Sequence, residues 1–334
     1  MYDYKAEGAL PDSAEIRRVF ALTEEKLKKY KRVQVALSGG SDSDTMLDII
    51  EKCRQPHNEI YYVFYNTGLD FDATREHIKY LEEKYGITIM RQSPKKSIPA
   101  TCKQHGQPFL SKKISDYIGR LQAHGFQWED GTVAELEKKY GKCKTALKWW
   151  CNEWGEGSQF NIERRKWLKE FMLKNPPQFN ISAKCCDFAK KNVAKEFHKQ
   201  FKIDLECTGV RKAEGGARAT AYKSCFTEEG EDKIATFRPI YYFTKEDKAM
   251  YKRFFKLRYS DCYEKYGMTR TGCPACPFSG KFDEELEVIR KNEPKFLKAV
   301  QNIFGDAFEY QRAYYDFRDK MNRLEKEKES QNKA

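Results

Sequence analysis

The sequence lacks long apolar stretches and the features of an export signal. No run of residues approaches the roughly 18 apolar residues that predict a membrane-spanning helix. Residues 1–18 contain acidic side chains and no apolar core of the kind that a secretion signal carries. We therefore expect a cytoplasmic location and no membrane partner.

Two further motifs are absent. The sequence has no G-x-x-x-x-G-K-[ST] loop, so we do not expect ordinary P-loop chemistry. Its five histidines show no H-x-x-x-H spacing, and we assign none of them a functional role.

Charge and cysteine content narrow the class of protein. The 334 residues include 62 basic and 50 acidic ones, and the net charge of +12 favours a polyanionic partner, either nucleotide phosphates or a nucleic-acid backbone. The chain has 11 cysteines. In a cytoplasmic protein such a number indicates metal or redox chemistry more often than disulfides.

Short apolar runs alternate with amphipathic segments. We predict helices at residues 13–31, 44–53 and 71–86, and strands at 33–37, 60–65, 87–90, 203–210 and 236–242. Alternating strands and helices predict an α/β fold with a doubly wound, mainly parallel sheet. Ligands in such folds bind beyond the carboxyl ends of the strands.

The remaining segments are predicted to be helical. Residues 92–180 contain all five tryptophans and form a predicted helical insertion, in which core packing is a simpler role for the tryptophans than base stacking. The predicted organisation is an N-terminal helix in residues 1–31, an α/β domain in 32–280 that carries the insertion, and C-terminal helices in 281–334. We expect residues 325–334 to be a frayed, solvated terminus.

A glycine turn follows the first predicted strand. Its sequence is Ser38-Gly39-Gly40-Ser41-Asp42-Ser43. Paired glycines let the backbone approach a phosphate, and the serine hydroxyls and the amides of the following helix are donors to its oxygens. We predict an anion site here, and a serine-rich helix cap is the alternative.

This turn resembles the S-G-G-x-D-S signature of the PP-loop superfamily (adenine nucleotide alpha hydrolase-like fold). Three later elements, in order, are similar to motifs of its phosphoadenosine-phosphosulfate (PAPS) reductase branch. They are Asn66-Thr67-Gly68, the G-x-R-x-x-E motif from Gly209 to Glu214 with the downstream Arg218, and Arg238-Pro239-Ile240. Ser41 departs from the pattern, because that branch often has lysine there.

The resemblance implies an adenine-nucleotide ligand, either ATP or a sulfated nucleotide (adenylyl sulfate or PAPS), and a magnesium ion placed by Asp42 or Glu214. It implies catalytic roles for Asp42, Ser43, Arg211 and Glu214. The residues that it implies for nucleotide binding are Ser38, Gly39, Gly40, Ser41, Asp42, Ser43, Asn66, Thr67, Gly68, Arg218 and Arg238.

Four cysteines form two close pairs, Cys185-Cys186 and Cys273-Pro274-Ala275-Cys276. A C-x-x-C turn brings two thiolates to one side and indicates a metal. Adjacent cysteines diverge, which suits a cluster with several irons better than one zinc ion, although zinc and the absence of any metal remain alternatives. The pattern is similar to the CC…CxxC ligands of [4Fe–4S] reductases in the same branch.

The remaining seven cysteines lack a partner pattern. We expect most of them to be small core residues, with Cys262 near enough in sequence to Cys273 to replace it as a ligand. The last cysteine of the sequence is Cys276, whereas sulfonucleotide reductases of this branch usually carry a catalytic cysteine near the C-terminus.

The expected function is therefore ATP-dependent (adenylating) sulfur transfer to a nucleic acid or nucleotide through the cluster, similar to tRNA thiolases or to the sulfurtransferase of DNA phosphorothioation. The implied partners are tRNA or DNA and a sulfur or electron donor protein. The alternatives are a PAPS or adenylyl-sulfate reductase with a different nucleophile, and a non-catalytic nucleotide- or nucleic-acid-binding module.

Overall fold

A computed structural model gives the fold of residues 2–214, 222–230 and 234–331. The chain divides into two compact units. Unit 1 consists of Met1–Lys95 and Ala189–Pro274, and unit 2 consists of Lys96–Phe188 and Ala275–Ala334.

The strands all belong to unit 1. In chain order they are β1 (Arg32–Leu37), β2 (Glu59–Tyr65), β3 (Ile89–Gln92), β4 (Leu205–Thr208), β5 (Phe226–Thr227) and β6 (Ala235–Phe237).

The helices occur in both units. In chain order they are α1 (Ala14–Lys29), α2 (Ser41–Cys53), α3 (Asp72–Tyr85), α4 (Ile98–His105), α5 (Lys112–Ala123), α6 (Val133–Tyr140), α7 (Lys144–Trp150), α8 (Leu168–Lys174), α9 (Lys184–Cys186), α10 (Asn192–Phe201), α11 (Lys245–Phe254), α12 (Asp261–Glu264), α13 (Phe282–Asn292) and α14 (Lys295–Gln331). None of the helices in the described part of the chain has the length and apolar character needed to cross a bilayer.

Unit 1 is built on a six-stranded sheet of order β3-β2-β1-β4-β6-β5 in the described residues. All neighbouring strands are parallel except β5 and β6. The predicted doubly wound, mainly parallel α/β fold is confirmed. β1 pairs with β2 on one side and β4 on the other, so the strand order reverses between β1 and β4. Such a switch point opens a crevice at the carboxyl ends of the two strands.

Helix α1 shows how the sequence builds this unit. The Ser13 side chain accepts a hydrogen bond from the Ile16 backbone and caps the helix. Ile16, Val19 and Phe20 then recur at helical spacing and are fully buried in the core that includes the sheet residue Val35. Burial of each such side chain contributes about 1.5–3 kcal/mol.

Three of the element boundaries that differ from the predictions have a clear physical cause. Helix α2 begins at Ser41 rather than at Asp44, because the Gly40 carbonyl already accepts a bond from the Asp44 amide. β3 begins at Ile89, two residues later than predicted. The left-handed Gly86 ends α3, and the Ile87 amide donates to the Glu82 carbonyl instead of to a neighbouring strand.

The predicted strand at 236–242 ends early, at Phe237. Proline has no amide to donate to a ladder, and after Pro239 the chain turns, with bonds from Tyr241 to Arg238 and from Phe243 to Ile240.

Unit 2 is helical in its described residues, apart from one isolated bridge between Gln107 and Ile181. Trp149 and Trp150 are buried in its core, as expected for core tryptophans, and Tyr314 of α14 packs into the same cluster. The expectation of a frayed terminus at 325–334 is wrong for residues 325–331, which continue α14. Alternating Glu and Lys residues there are good helix formers.

A row of polar side chains crosses the buried sheet of unit 1. Gln34 and Glu206 are register partners on β1 and β4, and His198 Nε2 lies 3.7 Å from Glu206 Oε1. Burial raises the pKa of Glu206 to about 7, although the Arg238 charge opposes the shift. Between pH 4.5 and about 7, Glu206 therefore keeps its proton in the folded protein. The unfolded chain has already lost that proton, because its carboxyl has the ordinary pKa of 4.5.

We predict that Glu206→Gln stabilises the protein at pH 8 and changes stability little at pH 5. In the wild type, stability is lost as pH rises from about 4.5 to 7, because the carboxyl must ionise in a buried position. Gln resembles the neutral acid, so the gain at pH 8 is about 1–3 kcal/mol. Urea unfolding at both pH values measures it, with the exposed Glu83→Gln as control. An equal difference at the two pH values would contradict the assignment.

Candidate functional site

The turn between β1 and α2 consists of Ser38, Gly39 and Gly40 and lies at the carboxyl end of β1. Gly39 has a φ of 64°, and a Cβ there would lie 2.7 Å from Thr74 Cγ2. The position therefore requires glycine for both conformation and space. Gly40 precedes α2 and provides no side-chain cap, so the first amides of the helix keep their capacity to bind an anion.

The serine hydroxyls hold the shape of this turn. Ser43 Oγ donates to the Gly40 carbonyl at 2.8 Å and accepts from the Ser38 amide at 3.3 Å. Ser38 Oγ accepts from the Gly40 amide at 3.2 Å and lies 3.1 Å from Ser43 Oγ. The sequence predicted these hydroxyls as phosphate donors, and the structure gives them a further role in fixing the loop.

The end of β4 touches the start of α2. A Cβ on Gly209 would lie 2.7 Å from the Ser43 Cα and 2.8 Å from the Asp42 carbonyl carbon. Only glycine permits this approach, which brings Arg211 to the phosphate loop. Arg211 Nε donates to Asp42 Oδ1 at 2.8 Å. The switch point between β1 and β4 therefore carries both the loop and a guanidinium.

A second cation reaches the same carboxylate from α11. Lys248 Nζ lies 2.5 Å from Asp42 Oδ1 and donates to Ser41 Oγ at 2.5 Å. The exposed fractions of the Asp42, Arg211 and Lys248 side chains are 18%, 11% and 15%. One largely buried carboxylate thus holds two cations at the N-terminus of α2.

The electrostatics of this group favour an anionic ligand. Burial lowers the pKa of Lys248, while Asp42 opposes the shift. Arg211 Nη1 is buried and has no hydrogen-bond partner in the described residues. A buried guanidinium donor without a partner costs free energy, and a phosphate oxygen would satisfy it.

The Asn66-Thr67-Gly68 turn follows β2, at the same edge of the sheet. The Asp70 carboxylate accepts from the Thr67 amide at 2.8 Å, and the Asn66 side chain accepts from the Gly68 amide at 2.9 Å. Cys273 Sγ donates to Thr67 Oγ1 at 3.8 Å. Cys273, predicted as a metal ligand, is therefore also a neighbour of the Asn66-Thr67-Gly68 turn that is predicted to bind the nucleotide.

Three other residues were predicted for the site, namely Glu214, Arg238 and Arg218. Glu214 is exposed and accepts a bond from the Arg211 backbone amide at 3.0 Å. Arg238 is buried, donates to Thr227 Oγ1 at 3.1 Å and stacks on the Tyr222 ring. Arg218 lies outside the described residues.

Sequence reasoning missed two contributors to this site. Lys248 lies four residues after Thr244, which begins α11 with a capping box, so the capping-box pattern could have placed this lysine near the start of a helix. His77, given no role, bonds Asp44 at 2.7 Å with both side chains buried. Burial raises the pKa of Asp44, and His77 opposes that shift. No spacing motif signals this pair.

Comparison with known proteins decides the family. The model of the phosphoadenosine phosphosulfate reductase domain matches residues 32–118 and 122–279, which is most of the chain. The chain belongs to this family. An uncharacterized protein of Methanocaldococcus jannaschii is 26% identical over 285 residues, which are 85% of this chain. The chain spans only 43% of the length of that relative.

Solved structures with a similar fold match at low identity. A PAPS reductase from Candida auris is 13% identical (TM-score 0.42; 79% of this chain and 96% of that one). A U34-tRNA thiolase from Methanococcus maripaludis, solved with its [4Fe–4S] cluster, is 14% identical (TM-score 0.36; 89% of this chain and 79% of that one). An NH3-dependent NAD synthetase from Campylobacter jejuni is 12% identical (TM-score 0.37; 89% of this chain and 92% of that one).

The thiols of this PAPS reductase family member divide between the units. The chain leaves unit 1 within the C-x-x-C motif, after Pro274, so Cys273 belongs to unit 1. In unit 2, the Cys185 side chain is hydrogen-bonded with those of Cys102 and Cys186, and Cys276 lies near enough to interact electrostatically. The interaction with Cys102 and burial raise the pKa of the Cys185 thiol well above its ordinary value, whereas the hydrogen bond with Cys186 opposes the shift.

The donor set of unit 2 fits an iron–sulfur cluster in chemical type, since thiolates are the ligands that such clusters use. No group of three or more His, Cys, Asp or Glu side chains in the described residues is placed to hold a metal ion.

We predict that Gly209→Ala weakens both the fold of unit 1 and nucleotide binding. The added methyl would press on backbone atoms of α2, which cannot rotate away, at a cost of about 1–3 kcal/mol. Because the β4 end must then withdraw and carry Arg211 with it, we expect ATP affinity to fall at least tenfold. Urea unfolding and calorimetric titration measure the two effects.

The control for this substitution is Gly305→Ala in α14, where an added Cβ meets nothing within 4 Å. Alanine inside a helix should stabilise the protein by about 0.5–1 kcal/mol and leave ATP binding unchanged. Normal ATP affinity in Gly209→Ala would show that the close approach of β4 and α2 is not needed for the site.

Proposed function

We propose that this protein is an ATP-dependent sulfurtransferase that adenylates a nucleic acid or a nucleotide and then replaces the activated oxygen with sulfur. The observation that carries the proposal is the ion group at the phosphate loop, where Arg211 and Lys248 both bind Asp42 Oδ1 at 2.8 and 2.5 Å. Membership of a family of PP-loop enzymes supports the wider class.

A carboxylate in the loop favours ATP with magnesium over a sulfated nucleotide alone. Asp42 lies in the first turn of α2, where phosphate oxygens would bind. Mg²⁺ binds carboxylate and phosphate oxygens together, so a carboxylate in this turn could hold the metal ion beside the phosphates. The residues present therefore fit a magnesium–triphosphate, with Asp42 as the carboxylate ligand.

The chain's own groups would act on the phosphates. The amides at the start of α2 would bind phosphate oxygens, and so would Arg211 Nη1, which has no hydrogen-bond partner among the described residues. Lys248 would add a charge beside them. These charges would stabilise the pentacoordinate α-phosphorus as an acceptor oxygen attacks it. The bond from the α-phosphorus to pyrophosphate breaks, and the acceptor carries adenylate.

In the second step a sulfur nucleophile would displace AMP from the acceptor. Cys273 is the thiol that lies at the Asn66-Thr67-Gly68 turn, 3.8 Å from Thr67 Oγ1. We propose an iron–sulfur cluster on the cysteine motifs, with ligands from the set Cys185, Cys186, Cys273 and Cys276. When bound, such a cluster would supply or store the sulfur.

Sulfonucleotide reduction is the alternative, since the matching family model describes a PAPS reductase domain. The same cationic group would then bind the sulfate or phosphate of the nucleotide, and a thiol would attack the sulfur atom. Sulfite released from PAPS or adenylyl sulfate with a thiol donor would establish it.

We predict that anaerobically purified protein releases pyrophosphate from ATP, and that added RNA or DNA stimulates the release. Lys248→Met and Asp42→Asn should lower the rate on the order of 100-fold, because each removes charge at the reacting phosphates. Lys245→Met changes an exposed lysine of the same helix and should leave the rate unchanged. Enzyme-coupled detection of pyrophosphate measures these rates.

The outcomes separate the candidate functions. Stimulation by one nucleic acid identifies the class of acceptor. No pyrophosphate under any condition, together with sulfite from a sulfated nucleotide, contradicts adenylation and favours the reductase. Tight ATP binding without either product leaves a non-catalytic binding module.

A further inference from the structure

Two hydroxyls outside the predicted motifs lie beside the phosphate loop. A Cβ on Gly40 would lie 3.0 Å from Thr271 Oγ1 and 3.2 Å from Tyr263 Oη. It would also lie 3.0 Å from Ser38 Oγ, so three hydroxyl oxygens surround one point at the glycine that precedes α2. Ser38 belongs to the loop, whereas Tyr263 and Thr271 come from the segment that leads into the C-x-x-C motif.

Gly40 is the residue that allows this approach. Its φ is −95°, an ordinary value that residues with a side chain also adopt, so the backbone conformation does not require glycine. A Cβ would nevertheless lie closer to the Thr271 and Tyr263 hydroxyls than an ordinary contact permits. The absence of a side chain at Gly40 therefore lets a second segment of unit 1 reach the phosphate loop.

The segment that carries Tyr263 is anchored to the helices on either side of the loop. Tyr259 Oη lies 3.1 Å from Thr45 Oγ1 of α2, and Ser260 Oγ donates to the Ala73 carbonyl of α3 at 3.1 Å. The Tyr263 amide then donates to the Ser260 carbonyl at 2.8 Å, within the turn that begins α12. The position of the phenol therefore follows from the fold of unit 1.

The chemistry of the two hydroxyls suits a phosphate. Burial raises the pKa of Tyr263 above its ordinary value, so the phenol keeps its proton at neutral pH and remains a donor. Lys248 Nζ donates to Ser41 Oγ at 2.5 Å, on the residue next to Gly40. Neutral donors and a cation thus meet at the start of α2, and a hydroxyl that donates to an ionised oxygen forms one of the stronger hydrogen bonds.

We propose that Tyr263 and Thr271 are nucleotide-binding residues, whose hydroxyls donate hydrogen bonds to the phosphates held by the loop. The inference rests on the nucleotide site of the proposed function and adds a second segment to it. The two hydroxyls would act by binding alone, because they keep their protons and form no covalent bond in the reaction.

The test compares Tyr263→Phe and Thr271→Val with the wild type in titrations with magnesium-ATP and with adenosine. Each substitution removes one hydroxyl and nearly keeps the size of the side chain. We expect each variant to bind ATP about tenfold more weakly and to bind adenosine as the wild type does, since adenosine has no phosphate. Calorimetry measures ATP binding directly and adenosine binding by competition with ATP.

Tyr242→Phe and Thr269→Val are the matched controls. Tyr242 is 41% exposed, and Thr269 is an exposed residue of the same segment as Thr271. Both control variants should bind ATP with the affinity of the wild type. Urea unfolding of the four variants shows which of them fold, and if Tyr263→Phe does not, Thr271→Val decides.

Three results would overturn the proposal. The first is an ATP affinity equal to that of the wild type in both hydroxyl variants. The second is tighter ATP binding by Tyr263→Phe, which would show that the phenol competes with the phosphates for the loop. The third is an equal loss of affinity for ATP and adenosine, which would show that the two residues support the fold of the site without a phosphate contact.

Failure of the proposed function gives a different pattern. A wild-type protein that binds ATP without releasing pyrophosphate contradicts adenylation, while a selective loss of ATP affinity in the variants still supports the two contacts. If the wild type binds PAPS in place of ATP, the same selective loss is expected for PAPS. A wild type that binds neither nucleotide contradicts both the proposed function and this inference.

Discussion

The ion group around Asp42 is the interaction on which the site depends. Arg211 and Lys248 come from segments far apart in the sequence, and both bind one carboxylate in the first turn of α2. Two like charges so close together repel each other, and Asp42 offsets part of that repulsion in the absence of a ligand. The same charges remain available to phosphate, so the site is prepared before the nucleotide arrives.

The fold makes this convergence possible at a single point. β1 and β4 are neighbours across the switch point, and a residue with a side chain at Gly209 would separate β4 from α2. The Ser38 and Ser43 hydroxyls form hydrogen bonds within the turn, which limits the conformational freedom of the loop before a ligand binds. A rigid cradle loses little entropy when it binds an anion, and this favours affinity without new contacts.

Much of this could be predicted from the sequence. Local patterns gave the α/β class, the phosphate loop and Arg211, because alternation, paired glycines and a short motif are properties of neighbouring residues. Lys248 and His77 were missed, because their roles arise from contacts between distant segments. The end of β6 was misplaced for a local reason, since Pro239 stops a ladder that its apolar neighbours would otherwise extend.

A structure of the protein with magnesium and the α,β-methylene analogue of ATP, which cannot release pyrophosphate, tests the central claim most directly. Our account predicts phosphate oxygens at the first amides of α2 and on Arg211 Nη1, with the metal bound to Asp42. A nucleotide bound away from residues 38–43, or phosphates that contact neither Arg211 nor Lys248, would contradict it.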